Sequence, residues 1–130
     1  MSPYFNKVHH IAIICSDYAV SKEFYVNVLK LPIIRETFRK ERNSYKLDLD
    51  GGQGVQIELF SFPNPPKRAS QPEAAGLRHL AFAVSDICAV CEYLCIQGVE
   101  TEPIRLDELT GKHFTFFKDP DGLPIEIVEE

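Results

Sequence analysis

The sequence repeats itself, and this repeat constrains the fold more than any other feature. Residues 10–17 read His-Ile-Ala-Ile-Ile-Cys-Ser-Asp, and residues 79–86, 69 positions further on, read His-Leu-Ala-Phe-Ala-Val-Ser-Asp. A repeat of this kind indicates a supersecondary unit that occurs twice. The chain has 130 residues, so each copy has about sixty and would be only marginally stable alone. We therefore expect a single fused domain over residues 1–130.

Each copy predicts the same βαβββ order of elements. A helix follows the first strand, over residues 18–30 in one copy and 87–97 in the other, and Asp17 or Asp86 directly precedes it as the N-cap. Three segments with strand composition follow each helix. They are residues 33–38, 44–49 and 55–62 in the first copy and 100–105, 113–118 and 123–128 in the second, with turns at 50–54 and 119–122.

These elements predict an α+β fold in which two βαβββ repeats form a curved mixed sheet. Repeat one covers residues 8–62 and repeat two covers 77–129. Residues 63–76 contain four prolines among polar and small residues, a composition typical of a linker or a lid.

Composition and charge exclude several classes of partner. The chain has 14 basic and 19 acidic residues, a formal charge of −5, and no cluster of cations suited to a phosphate backbone. No apolar run approaches membrane-spanning length, and the N-terminus does not resemble a signal peptide. We expect a cytoplasmic protein with no nucleic-acid or membrane partner.

The cysteines favour packing over metal or disulfide chemistry. Cys88, Cys91 and Cys95 have the spacing of one helical face, and Cys15 lies on the first strand. Neighbours on one helix make a poor disulfide framework, and a second pair of soft ligands is missing. Buried or half-buried packing is the prediction.

A histidine and a glutamate recur at matched positions of the two repeats. His10 and His79 each begin the repeated motif, and strand alternation puts them on equivalent faces. Glu58 and Glu126 each lie between apolar residues of a predicted last strand, where an unpaired carboxylate is costly. The separations are 48 positions from His10 to Glu58 and 47 from His79 to Glu126. A pseudo-twofold axis is expected to bring the four together.

Two neutral imidazoles and two carboxylates balance the charge of a divalent cation. The set leaves one or two coordination positions for water or substrate, which is typical of a catalytic site. Such a donor set suits zinc, nickel, cobalt, manganese or iron. His113 has no counterpart in the other repeat and is assigned to the surface or to a pocket lining.

At this point the chain resembles the vicinal oxygen chelate superfamily and, within it, the glyoxalase I (lactoylglutathione lyase) branch. The resemblance rests on motifs spread over nearly the whole chain: residues 10–17 with Phe24-Tyr25, Ile57-Glu58-Leu59, residues 76–81, and residues 117–122 ahead of Ile125-Glu126.

The resemblance implies a metal-dependent lyase or isomerase. His10, Glu58, His79 and Glu126 would be the metal ligands. Glu126 would be the general base, and Glu58 would act on the opposite face of the substrate. Proton transfer between adjacent carbons would convert the hemithioacetal of methylglyoxal to a thioester.

Two positions depart from the branch. Glutathione-dependent members commonly have Arg and Asn where this chain has Ile14 and Phe62, which leaves the thiol cosubstrate open. Arg78, Arg105 and Lys112 are alternative anion contacts or surface charges. The predicted substrate pocket consists of five residues: Phe60, Phe62, Phe114, Phe116 and Lys112.

Other functions remain open. The chain could be a dioxygenase or epimerase of the same superfamily acting on another chelating substrate, or a non-catalytic module that binds a metal or a small molecule. Relatives often build each site from two chains, so a homodimer is expected, and the pairing of the halves within or between chains stays open.

Overall fold

The computed structural model describes all 130 residues and divides into two compact units, Met1–Pro66 and Lys67–Glu130. Each unit contains one βαβββ repeat, which confirms the predicted α+β class and the internal repeat. The boundary falls inside the predicted linker, residues 63–76. That the halves act as one domain stays a prediction.

The first unit is built on a four-stranded mixed sheet, here called the first sheet. Its strands are β1 (His10–Cys15), β2 (Ile33–Arg39), β3 (Ser44–Asp50) and β4 (Gln56–Ser61), in the order β1-β4-β3-β2. β1 is parallel to β4, while β3 is antiparallel to both of its neighbours. The parallel pair requires a long crossover, which contains the helix.

The crossover helix changes its geometry partway along. Helix α1 (Tyr18–Lys22) is capped by Asp17, whose carboxylate accepts from the Val20 amide, and Glu23–Val28 continues as a π-helix. Two consecutive aromatic residues in this π-helix, Phe24 and Tyr25, are both buried. The wider π turn allows adjacent side chains to face the core together.

The second unit repeats the same plan. Its strands are β5 (Leu80–Val84), β6 (Arg105–Asp107), β7 (Lys112–Lys118) and β8 (Pro124–Glu129), in the order β5-β8-β7-β6 of the second sheet. Helix α2 (Ile87–Ile96) connects the parallel pair β5 and β8, and Asp86 caps it through the Ala89 amide. Both N-cap predictions are confirmed. No helix is both long and apolar enough to span a bilayer.

The predicted strand over residues 100–105 is wrong. The observed strand β6 begins only at Arg105, and its pairing runs from Arg105 opposite Phe114 to Asp107 opposite Lys112. Pro103 has no amide hydrogen to donate, which prevents a continuous ladder through this segment. Before β6, the Glu102 amide donates to the Phe116 carbonyl, and the Thr115 hydroxyl donates to the Glu102 carbonyl at 2.6 Å.

Alternation along the strands separates a core face from a polar face on each sheet. In β4, Ile57 and Leu59 are buried in the core, and in β8, Ile125 and Ile127 are buried likewise. The residues between them project from the opposite face. The faces away from these core residues therefore carry the candidate functional side chains.

Two of the three helical cysteines do not pack as predicted. Cys88 and Cys95 are exposed and Cys91 is half-buried, whereas Cys15 on β1 is buried; none of the four forms a disulfide bond. The buried residues of α2 are Ile87 and Leu94. Because Ile87 and Leu94 lie one position before Cys88 and Cys95, the core stripe is rotated away from the cysteines.

Candidate metal and substrate site

The first sheet brings His10 and Glu58 together. His10 begins β1 and Glu58 lies in the middle of β4, where Ala12 is its partner in the parallel register. His10 Nδ1 lies 3.5 Å from Glu58 Oε2. Only 7% of the Glu58 side chain is exposed, against 44% for His10. The pair therefore combines a buried carboxylate with an accessible imidazole.

A lysine compensates the charge of Glu58. Asp48 on β3 lies directly opposite Glu58 and is also buried, so two carboxylates share one region of the sheet. Lys46 Nζ lies 2.8 Å from Asp48 Oδ1 and 3.7 Å from Glu58 Oε1. The Lys46 ammonium therefore lies between two buried carboxylates and contacts both of them.

His9 contacts the imidazole of His10. The two Nδ1 atoms are 2.9 Å apart, and the rings meet edge to face. In this contact one of the two nitrogens donates and the other accepts.

The second sheet brings His79 and Glu126 together in the same way. His79 directly precedes β5, and Glu126 pairs with Ala81 in the parallel register, as Glu58 pairs with Ala12. His79 Nε2 lies 3.1 Å from Glu126 Oε1. His79 Nδ1 is buried and has no hydrogen-bond partner, and the ring packs edge to face against Phe116. Its orientation therefore depends on Glu126 and on Phe116.

Each unit supplies two ligands of the predicted set. No group of three or more His, Cys, Asp or Glu side chains in the chain is arranged to hold an ion. Most zinc sites have three or four protein ligands. One unit alone would contribute only one imidazole and one carboxylate of this predicted set.

A cavity of about 550 Å³ lies beside His79 in the second unit. Its charged lining residues comprise four cations and two acids: Arg68, Arg78, Arg105, Lys118, Glu73 and Glu102. Arg78 pairs with Glu73 at 2.6 Å, and Arg105 pairs with Glu102 at 2.9 Å. Two cations remain beyond these pairs, so the cavity has a positive excess that favours an electron-rich or anionic ligand.

The side chain of Arg68 forms hydrogen bonds with the backbone of the segment that leads to His79. Its Nη2 donates to the carbonyls of Leu77 and Arg78, at 2.9 and 2.8 Å, and its Nε donates to Ser70 Oγ. These bonds hold the backbone immediately before His79. Arg68 therefore contributes to positioning this histidine.

The predicted aromatic pocket residues form two separate pairs, one on each sheet. Phe60 and Phe62 are nearly parallel, with centroids 6.2 Å apart, and Phe114 and Phe116 are perpendicular at the same separation. Of the four, only Phe116 lines the cavity beside His79. Lys112 lies exposed at the start of β7, outside that lining.

An arginine covers each aromatic pair. The guanidinium carbon of Arg39 lies 4.7 Å from the Phe60 centroid and 5.5 Å from that of Phe62. Arg105 lies 5.1 and 6.0 Å from the centroids of Phe114 and Phe116. Such cation–π contacts hold the planar guanidinium against the rings. Each sheet thus combines a His–Glu pair, two phenylalanines and one arginine.

Sequence reasoning did not single out Arg39, Lys46 or Asp48. The alternation in residues 44–50 puts Lys46 and Asp48 on one face of β3, a signal that was readable from the pattern. Which residues of β4 they oppose depends on the register of the hairpin. Arg39 had no such signal, because its place over Phe60 requires the pairing of three strands.

The sequence matches a known family over most of its length. Residues 7–127 match the model of the Glyoxalase/Bleomycin resistance protein/Dioxygenase superfamily. "Uncharacterized protein YwkD" of Bacillus subtilis (strain 168) is 60% identical over 123 residues, which are 95% of this chain and 96% of that protein. The "Probable lactoylglutathione lyase" of Vibrio cholerae serotype O1 is 31% identical over 132 residues, which are 95% and 91% of the two chains.

A solved structure has the same fold. The crystal structure of SMU.1112c superimposes with a TM-score of 0.92 and 48% sequence identity, covering 95% of this chain and 98% of the other. The similarity therefore extends over both units of the chain.

Proposed function

Because the chain belongs to the glyoxalase/bleomycin resistance protein/dioxygenase superfamily, we propose that it is a divalent-metal-dependent lyase or isomerase of the glyoxalase I type. The substrate has vicinal oxygens, as in a methylglyoxal hemithioacetal or a related compound. The observation that carries the proposal is the recurrence of one His–Glu pair on each sheet, in the same register. The 31% identity to a protein named as a lactoylglutathione lyase supports it.

The donor set fits a divalent ion. Two ligands of one ion at bond lengths of about 2.1 Å lie about 3 to 3.5 Å from each other. The His–Glu separations of 3.5 Å and 3.1 Å agree with this range. His10, Glu58, His79 and Glu126 together would hold zinc or nickel, with cobalt, manganese or iron as alternatives.

The two glutamates are suited to different roles. The bound metal would act as a Lewis acid that polarises the vicinal oxygens of the substrate. Glu58 is buried and held by Lys46, so it is the more fixed carboxylate. Glu126 has His79 as its ion-pair partner and no lysine or arginine, so it is freer to accept a proton from the substrate carbon and return it. Glu58 would serve the opposite face of the substrate.

Glu126→Gln tests the proposal, because glutamine keeps the shape and an oxygen ligand but cannot carry the proton. We expect hemithioacetal turnover to fall by about 10²–10⁴-fold while the metal content stays near that of the wild type. Glu130→Gln, an exposed carboxylate at the chain end, is the matched control. Unchanged turnover in Glu126→Gln contradicts the assignment.

The same preparations distinguish the other functions. Oxygen consumption that depends on iron would identify a dioxygenase, and exchange of a substrate proton without formation of a thioester would identify an epimerase. A protein that binds no divalent metal would be a non-catalytic binding module.

Superfamily members commonly form dimers, and we propose that this chain is a homodimer that binds a small-molecule substrate. Light scattering of the protein during gel filtration tests the oligomeric state, and a monomer at micromolar concentration contradicts it.

A further inference from the structure

The first sheet contains a half-buried arginine without a carboxylate partner. Arg39 ends β2, and its Nη2 donates to the Oγ of the fully buried Ser44 at 2.7 Å. Its Nε is buried and has no hydrogen-bond partner. A buried donor that is left unpaired costs free energy, and more so when it is charged. Because Nε is shielded from solvent, a ligand would meet the guanidinium at its Nη groups.

No acidic side chain of the first sheet neutralises Arg39. The buried carboxylates of Asp48 and Glu58 are both engaged by Lys46. The second unit differs here, since the guanidinium of Arg105, over its own pair of phenylalanines, is neutralised by Glu102. Each aromatic pair is covered by one guanidinium group, and of the two only that of Arg39 has no carboxylate partner.

Arg39 lies on the same face of the first sheet as the His10–Glu58 pair. Ser44 and Asp48 alternate on one face of β3, where Ser44 pairs with Arg39 and Asp48 pairs with Glu58. The guanidinium lies over Phe60, two residues along β4 from Glu58, which is about 7 Å of strand. A ligand of a few bonds can span this distance.

We propose that Arg39, held over Phe60 and Phe62, binds a carboxylate of the substrate. This inference rests on the proposed function and specifies its substrate class: a compound whose vicinal oxygens lie at the metal ligands and whose other end is an anion. The planar guanidinium offers two parallel donors to a carboxylate, and the rings hold it in place. The proposed anion contact therefore lies on β2. It does not involve Ile14 and Phe62, the two apolar residues at the positions where glutathione-dependent members commonly have Arg and Asn.

Equilibrium binding tests the carboxylate site without any turnover. The probes are 3-phenylpropionate and 3-phenylpropan-1-ol, which share the ring and chain length and differ in the anion. With metal-free protein we expect the acid to bind at least about tenfold more tightly than the alcohol. Arg39→Gln should abolish this preference and Arg39→Lys should keep part of it. Arg42→Gln, an exposed arginine on the adjoining turn, should leave it unchanged.

Equal affinity for the two probes in the wild type, no measurable binding of either, or a preference that survives in Arg39→Gln would overturn the proposal. Circular dichroism and thermal unfolding of each variant show whether it is folded, and the Nε–H resonance of Arg39 should shift when the acid binds to the wild type.

Turnover separates this inference from the proposed function. The substrates are the methylglyoxal hemithioacetals of 3-mercaptopropionate and of 3-mercaptopropan-1-ol. We expect Arg39→Gln to raise KM for the acid adduct about tenfold or more and to leave its kcat nearly unchanged. Both kinetic constants for the alcohol adduct should also stay nearly unchanged.

If both adducts are inert but the acid probe still binds through Arg39, the proposed function fails and the carboxylate site stands. If both are turned over and Arg39→Gln changes nothing, the carboxylate site fails and the function stands.

Discussion

Lys46 Nζ lies 3.7 Å from the carboxylate of Glu58, so a metal-ligand candidate is held by a cation of the protein itself. The same ammonium donates to Asp48 at 2.8 Å. Without Lys46, two buried carboxylates would face each other across β3 and β4. The lysine therefore offsets the repulsion between these two buried carboxylates in the metal-free protein.

Replacing Lys46 by Gln is expected to destabilise the metal-free protein by about 1–3 kcal/mol, because hydrogen bonds to charged groups contribute about this much. Added zinc or nickel should reduce the deficit, since the ion then supplies the positive charge beside Glu58. Urea unfolding with and without metal measures both effects, and Lys40→Gln, an exposed lysine on the turn after β2, is the control. A metal-independent deficit would contradict this view of Lys46.

Divalent metal should stabilise the folded protein, and the effect should depend on both His–Glu pairs. At a thousandfold excess over Kd the expected gain is about 4 kcal/mol, seen as a higher Tm. His10→Ala or His79→Ala should remove most of this gain, whereas His113→Ala, an exposed histidine, should keep it. A full shift in Tm that survives in either ligand variant is evidence against a site that uses both pairs.

The helix caps offer a matched test of the two units. Asp17 and Asp86 each accept from the backbone amide three residues on, at 3.2 and 3.0 Å. Replacement by Ala should cost about 1 kcal/mol at either position, and replacement by Asn should cost much less because the amide oxygen still accepts. Chemical unfolding measures the losses. If Ala and Asn were equally harmful, the side-chain hydrogen bond would not be the cause.

Tyr18 should titrate well above the ordinary range of a tyrosine. Burial and the hydrogen bond to Glu36 raise the pKa of Tyr18 well above its ordinary value of about 10. Since the folded state holds this proton more tightly, the contribution to stability is complete below about pH 10. It is lost as the pH rises toward the folded-state pKa. Absorbance at 295 nm follows the titration, and the difference between the wild type and Tyr18→Phe gives the contribution of Tyr18, which should appear well above pH 10.

The pKa of the Glu36 carboxyl group should lie below that of an ordinary glutamate. Hydrogen bonds from Lys22 and Tyr18 lower the pKa of Glu36. A lowered pKa stabilises the fold above the unfolded-state value, and the contribution disappears as the pH falls through the folded-state value. Carboxyl chemical shifts from NMR check the direction. In Lys22→Gln the pKa of Glu36 should move back up, and a pKa that stays low would exclude Lys22 as the main cause.

Much of the fold was predictable because the repeat shows every element twice. A helix or strand proposed in one copy is supported by the matching segment in the other, as the Asp17 and Asp86 caps illustrate. The prediction of strand 100–105 failed where the copies differ, because Pro103 interrupts the ladder there. The helical cysteines were misplaced since spacing alone defines a stripe on a helix but not its orientation toward the core.

The class of fold and the four members of the proposed metal set could be predicted from the sequence, because both predictions follow from periodicity and from matched positions in a repeat. The surroundings of these residues became visible only in the folded chain: Lys46 beside Glu58, Phe116 against His79, and Arg39 over Phe60. These neighbours come from different strands. Strand register is set by turns and by packing over many residues, so no local pattern could reveal them.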